Sequence, residues 1–169
     1  MERFDCRASS ALILAATGHR PNKLGGYGEH VDAALRTMAR HELMAREPRG
    51  VVSGMALGWD MAWAEAALTL SIPVCAAIPT AGQESVWPAS SQERYRSILA
   101  QCAKIVIVSE GGYAAWKMQK RNEWIADKAT RIVALWNGSP GGTANCIAYA
   151  SKIGRPVDNL WNLWTAVYA

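Results

Sequence analysis

The stretch Val51–Asp60, Val-Val-Ser-Gly-Met-Ala-Leu-Gly-Trp-Asp, limits most tightly what this chain can fold into. Two β-branched residues run into Ser53-Gly54, Gly58 follows, and an apolar, alanine-rich helix is predicted over Met61–Leu70. A strand that turns through glycines into a helix places backbone N–H groups at a helix N-terminus, an arrangement that binds anions, phosphate above all. Taken alone, the same turn serves any tight βα connection, which also needs glycine. The rest of the chain has to decide between the two.

That unit recurs. Ala11–Ala16 is an apolar run ended by Thr17-Gly18-His19-Arg20-Pro21, and reads as a buried strand feeding a polar loop. Val31, Ala34, Leu35, Met38 and Ala45 form a helical stripe over Glu29–Glu47, which Pro48 ends. Further strands are predicted over Val51–Ser53, Val74–Ile78, Lys104–Ser109, Arg131–Trp136 and Val157–Leu160. Ile105–Val108 carries the clearest buried-strand signal. Helices are predicted from Ser90-Ser91, a suitable N-cap before an acidic first turn, to Cys102, and over Ala114–Ala129 and Ala144–Lys152. Short strands alternating with helices imply an α/β fold, with a mainly parallel central sheet covered by helices on both faces. Residues 1–10 read as a lead-in and 11–169 as a single domain.

Composition excludes several classes. With 50% hydrophobic and 19% charged residues, the 169-residue chain reads as a soluble globular protein. A net charge of +4 allows an anionic partner, but no basic run exceeds Lys120-Arg121, so nucleic acid is possible without being required. The longest N-terminal apolar run, Ala11–Ala16, is too short for a signal peptide or a membrane span, so no membrane partner is expected. Cys6, Cys75, Cys102 and Cys146 lie far apart without a Cys-x-x-Cys pair. Buried thiols and a reducing, cytoplasmic setting are the expectation.

Four strands pass into loops rich in Gly, Ser, Thr or charge: Thr17–Pro21, Gly54–Asp60, Ser109–Tyr113 and Gly138–Thr143. In a parallel sheet these loops share the carboxyl edge, where ligands bind at the topological switch point. The standard signatures are absent. Gly26-Tyr27-Gly28 lacks a third glycine and follows no strand, no Walker lysine follows a glycine loop, and there is no Gly-x-Ser-x-Gly elbow. His30 and His41 share a predicted helix but stand about 16 Å apart at 1.5 Å per residue, too far to share a zinc ion, so no metal is expected. His19, beside Arg20, suits a phosphate or carboxylate, or is a surface pair without a role. Asn122 falls on the apolar face of its helix, four residues after Met118. Its amide either bonds a neighbouring loop backbone or, with Arg121, points at a ligand. Trp87 could stack on a base or cover the core edge. Leu160, Trp164, Val167 and Tyr168 form a helical stripe that closes the core or makes a subunit interface, and a homo-oligomer is expected.

Taken together, these motifs resemble a family. Thr17-Gly18-His19-Arg20-Pro21 with Lys23-Leu24-Gly25 resembles the opening loop of the YpsA-like proteins, members of the SLOG superfamily of Rossmann-like domains that also holds the DprA and LOG families. Ser53–Asp60 with Glu65 is similar to their second glycine loop. Gln83-Glu84, Trp87, Gln92-Glu93-Arg94-Tyr95 and Leu99-Ala100-Gln101 are similar to the segment after their third strand. Arg121-Asn122 and Asp127 resemble the helix before their fifth strand, and Pro140-Gly141-Gly142-Thr143 resembles an element shared with LOG proteins. The match runs in consistent order from Leu12 to Val157.

The resemblance implies a single Rossmann-like domain that binds a nucleotide or nucleotide-derived ligand at the carboxyl edge, with no further cofactor. LOG members are phosphoribohydrolases, DprA members bind single-stranded DNA, and some SLOG domains sense cyclic nucleotide or ADP-ribose signals. A nucleotide hydrolase and a single-stranded DNA binder are therefore the alternatives. LOG enzymes carry a glutamate three residues after the threonine of their shared element; here Thr143 is followed by Ala144-Asn145-Cys146. Glu65, Glu84, Glu110 or Asp60 could replace that carboxylate only if the fold brings it to the pocket. The residues expected at the ligand are Thr17, Gly18, His19 and Arg20 of the first loop and Gly54, Leu57, Gly58 and Asp60 of the second. Pro79, Glu84 and Trp87, then Ser109 and Glu110, Arg121 and Asn122, and finally Gly141, Gly142 and Thr143 complete the set.

Overall fold

A computed structural model of the chain describes residues 11–168. The lead-in assigned to residues 1–10, with Cys6, lies outside them. The strands are β1 Ile13–Gly18, β2 Gly50–Ser53, β3 Val74–Ile78, β4 Lys104–Ile107, β5 Arg131–Leu135 and β6 Val157–Asn159. The helices are α1 Glu29–Arg46, α2 Trp59–Thr69, α3 Ala89–Gln101, α4 Ala115–Lys128 and α5 Gly142–Lys152, with a short α6, Trp161–Leu163, running into a π-helical turn, Trp164–Tyr168. The sheet order is β4-β3-β2-β1-β5-β6, and every pairing is parallel.

Successive residues of a strand face opposite sides of the sheet, and the inner strands are apolar on both. Leu14, Ala16, Val51, Val74, Ala76, Ile78, Val133 and Leu135 pack into one core. Their neighbours Ile13, Ala15, Val52, Cys75, Ala77 and Ile132 pack into the other. The first core lies under α1, α2 and α3, which contribute Leu35, Met38, Trp63, Tyr95 and Ile98. The second lies under α4 and α5, through Ile125, Ala126, Cys146 and Ala150. The chain moves outward from β1 to β4, then returns to add β5 on the other side of β1. Right-handed crossovers put the helices of the two halves on opposite faces and leave a crevice between the ends of β1 and β5.

α2 is buried almost all round. Its alanines let α1 approach from outside while Trp59 and Trp63 fill the space toward the core. The seam between α1, α2 and α3 is tied by Arg94, whose guanidinium meets both oxygens of Glu65 at 2.7 and 2.6 Å and Asp32 at 3.0 Å. That contact occupies Glu65.

Three expectations change. The β-branched run Ile105–Val108 is not a central strand: β4 forms one edge of the sheet, with Ile105 48% and Ile107 52% exposed. Both side chains point to the face of Ala76 and Ile78, their register partners, but α3 packs inward against α2 and leaves them open. Strand character was legible in the residues; the edge position follows from chain order. Pro88, not a serine, caps α3, and no side chain bonds its first turn. In the tail, Trp164 is buried but Val167 is exposed, because the π-helical turn shifts the period that the α-helical stripe assumed. Trp164 stacks on Tyr168, whose hydroxyl lies 3.1 Å from His41 Nδ1 on α1. No helix among the described residues is long and apolar enough to cross a membrane.

A Cβ on Gly18 would lie 2.6 Å from Trp59 Cδ1. Only glycine lets α2 start against the end of β1, where Trp59 Nε1 donates to Val133 O at 3.1 Å. Gly18→Ala should therefore destabilise the protein by about 1–3 kcal/mol in urea unfolding, as overpacking of a filled core does. Gly142→Ala is the matched comparison: nothing lies within 4 Å of its Cβ position, and stability should not fall.

Candidate functional site

The crevice at the switch point holds a cavity of about 320 Å³. Its walls are Thr17–Arg20, Asn22 and Lys23 after β1, Ala56 and Asp60 after β2, Met118, Arg121 and Asn122 of α4, and Ser139–Thr143 after β5. Loops distant in sequence meet here because their strands end on the same sheet edge.

Arg121 organises the floor. It is 4% exposed, and its Nη1 donates to Gly54 O at 2.5 Å and points toward Ala77 O at 3.4 Å, bridging the ends of β2 and β3. A Cβ on Gly54 would meet that guanidinium at 2.5 Å, so the glycine is needed for close approach rather than for phosphate. Arg121 Nε donates to Asn122 Oδ1 at 3.0 Å, and Asn122 Nδ2 donates to Gly142 O at 3.2 Å, bracing the start of α5. Of the two roles open to Asn122, the loop-backbone bond is present, and the residue also lines the cavity.

Asp60, 7% exposed, is the acceptor in the wall. Backbone N–H groups of Ala56 and Gly18 favour its charged form, yet Oδ1 has no hydrogen-bond partner. Burial raises its pKa to about 6 against the pull of Arg121 and Arg20. Burial also lowers the Arg121 pKa, opposed chiefly by Asp60. Ser53 Oγ donates to Asp60 O at 2.7 Å and accepts from Met55 N at 3.1 Å, which sets the turn that carries the aspartate.

The two helix N-termini differ. At α2, Trp59 N–H donates to His19 O at 3.4 Å and Met61 N–H to Ala56 O at 3.2 Å, so the Gly54–Gly58 turn directs those donors into the protein. At α5, Gly142 and Thr143 line the cavity, with open space around Gly142. His19 is also turned to structural use. Its Nε2 lies 2.7 Å from Asn137 Oδ1 and its ring meets Trp161 edge to face, while burial lowers its pKa. Arg20 is exposed, and Lys23 reaches Ser139 Oγ at 2.8 Å across the mouth. Together they leave the rim cationic.

Of the residues expected from sequence, Thr17, Gly18, His19, Arg20, Asp60, Arg121, Asn122, Gly141, Gly142 and Thr143 meet at this cavity. Leu57 is in the core, and Gly58 is buried in the turn beneath. Pro79 and Trp87 line a separate cavity nearby. Ser109 is buried with its N–H on Pro79 O, Glu110 is exposed and its carbonyl accepts from Lys117, and Glu84 lies 3.8 Å from Arg96. Among the described residues lining the switch-point cavity, Asp60 is the one carboxylate. Sequence reading passed over Asn22, Lys23, Met118 and Ser139 as site residues; the position of Asn22 and Lys23 directly after Thr17–Pro21 was the available signal. No three His, Cys, Asp or Glu side chains gather among the described residues where a metal could be held.

A doubly wound parallel sheet with its cavity between the first and fifth strands defines a Rossmann-like protein. The chain belongs to the DNA recombination-mediator protein A family, whose profile matches residues 26–163. It is 34% identical over 128 residues to the uncharacterized SPbeta prophage-derived protein YoqJ of Bacillus subtilis (strain 168), covering 66% of this chain and 75% of that one. Its fold is similar to that of DNA processing protein A from Streptococcus pneumoniae, at 20% identity and a TM-score of 0.62 over 87% of this chain. The chain spans about half of that protein, 49%. DNA processing protein A from Helicobacter pylori, solved to describe its single-stranded DNA binding mode, matches at 21% identity and a TM-score of 0.62 over 87% of this chain and 64% of that one. The protein TM1055 matches at 15% identity and a TM-score of 0.59 over 86% and 72%.

The raised Asp60 pKa has a stability signature. Between its ordinary value of 3.8 and about 6 the native state holds the proton that the unfolded state has lost, so this group makes stability fall as pH rises through that window and has no further effect above it. Urea unfolding of Asp60→Asn should show a stability difference from the wild type that shifts in the variant's favour from pH 4 to 6.5 and is flat beyond. A difference independent of pH would refute the assignment.

Proposed function

We propose that the switch-point cavity binds the phosphate and ribose of a nucleotide or nucleotide-derived ligand. The observation that carries this is a nearly buried carboxylate, Asp60, in the wall of a cavity whose other walls supply donors and positive charge. The N-terminal turn of α5 and the Arg20 and Lys23 side chains suit a phosphate. Asp60 suits a hydroxyl of the adjoining sugar, since an ionised carboxylate can only accept. An anion alone would leave Asp60 unused and repelled. A sugar phosphate satisfies both walls.

Single-stranded DNA is the second reading, favoured by the structural likeness to the Helicobacter pylori protein and by a rim of positive charge that a DNA backbone could follow. Hydrolysis of the bound ligand would run through Asp60 in this cavity, because among the described residues no other carboxylate lines it.

Calorimetric titration with inorganic phosphate, ribose 5-phosphate, nucleoside monophosphates and an oligothymidylate separates these readings. Nucleoside monophosphates should bind, and Arg20→Ala or Lys23→Ala should each weaken them about tenfold or more, the loss expected for one charge-assisted hydrogen bond. Failure of a folded sample to bind any nucleoside phosphate would overturn the proposal. Steeply salt-dependent binding of the oligonucleotide alone would favour the second reading, and chromatographic detection of released base or phosphate, lost in Asp60→Asn, would identify a hydrolase.

A further inference from the structure

Beside the switch-point cavity, along the same sheet edge, lies a second cavity of about 530 Å³. Its walls come from the loop after β3, from Pro79 to Trp87, and the loop after β4, at Gly112 and Tyr113. Arg20 and Met118 line both cavities, so the two share a wall. The first chamber is polar and rimmed by cations. The second adds the aromatic rings of Trp87 and Tyr113 and the apolar Pro79 and Val86 to Thr80, Gln83 and Ser85.

The exposure pattern there is unusual. Tyr113 is 78% exposed and Val86 88%, although both belong to a cavity wall. Trp87 is held from behind, its ring edge to face with Tyr95 at 5.3 Å. Trp87, backed by Tyr95, and the uncovered Tyr113 both line this cavity, and planar rings stack on such aromatic surfaces. Gln83 Nε2 donates to Gly54 O at 3.3 Å and to Tyr95 OH at 3.1 Å, which leaves Oε1 as the acceptor of that side chain. Gly54 O also receives Arg121, so the floor of one chamber is bonded to the wall of the other.

We infer that the second cavity is the ring-binding half of the same site: it takes the nucleobase of the ligand against Trp87 and Tyr113, while phosphate and ribose occupy the switch-point cavity and Arg20 and Met118 line the passage between them. This rests on the proposed function, and it adds the requirement that the ligand carry a planar ring joined to its sugar phosphate. A ligand without the ring fills only the first chamber. Tyr113, to which sequence reading assigned no role, becomes a specificity-determining residue, and its exposure is explained by what covers it.

The experiment compares ribose 5-phosphate with adenosine and uridine monophosphates by calorimetry, on the wild type and on Tyr113→Ala and Tyr113→Phe. Both nucleotides should bind the wild type more tightly than ribose 5-phosphate. Tyr113→Ala should weaken nucleotide binding about tenfold, as loss of one stacking surface does, and leave ribose 5-phosphate unchanged; Tyr113→Phe should retain nucleotide affinity. Equal affinities for ribose 5-phosphate and the nucleotides, or nucleotide binding indifferent to Tyr113→Ala, would overturn the ring site while leaving the phosphate site standing. Loss of binding to all three compounds in the wild type would instead overturn the underlying proposal, and the ring site with it.

Discussion

The carboxyl edge of this sheet depends on one buried guanidinium. Arg121 comes from α4 on one face of the sheet and ends among the carbonyls of Gly54 and Ala77, where two strands stop. It is also the leading charge opposing the burial of Asp60. Removing either partner would leave the other as an uncompensated buried charge, which is far more destabilising than an exposed charge. Through Asn122 the same residue reaches the first turn of α5. Four elements are thereby held in register by bonds that converge on a single side chain.

That arrangement explains why the loops around the crevice divide their work. The Gly54–Gly58 turn supports: Gly54 admits the arginine, and the helix that follows spends its first donors on the chain itself. The Gly141–Gly142 turn stays open toward the cavity. Asp60 stands at the boundary, nearly buried yet retaining one unpartnered oxygen. A proton-sensitive acceptor facing a cationic rim gives the cleft two ends of opposite character.

Much of this was legible in the residues. The strand–loop–helix alternation led to a parallel sheet, because parallel neighbours need a long crossover and a helix between them supplies it. The loops with glycine and charge were correctly placed on one edge, since parallel strands all end there. What could not be read was how each side chain is used. His19 looked like a ligand donor by position, but Asn137, 118 residues away, takes its ring. Glu65 had the chemistry of a candidate carboxylate, but Arg94 occupies it on the far side of α2. Tyr113 carried no periodic or motif signal, and its place in a cavity wall exists only because the loops after β3 and β4 stand side by side.

The sequence by itself determined the fold class, the membership of the chain in its family and the sheet edge on which the glycine and charged loops gather, because these follow from local patterns of apolar, glycine and turn residues. Only the tertiary structure decided that Ile105 and Ile107 lie on an open edge, that Asp60 alone among the candidate carboxylates reaches the crevice, and that a second cavity lies beside the first. Those outcomes depend on strand order and on partners distant in the chain. A local pattern carries no information about which of two identical chemistries another loop will bury.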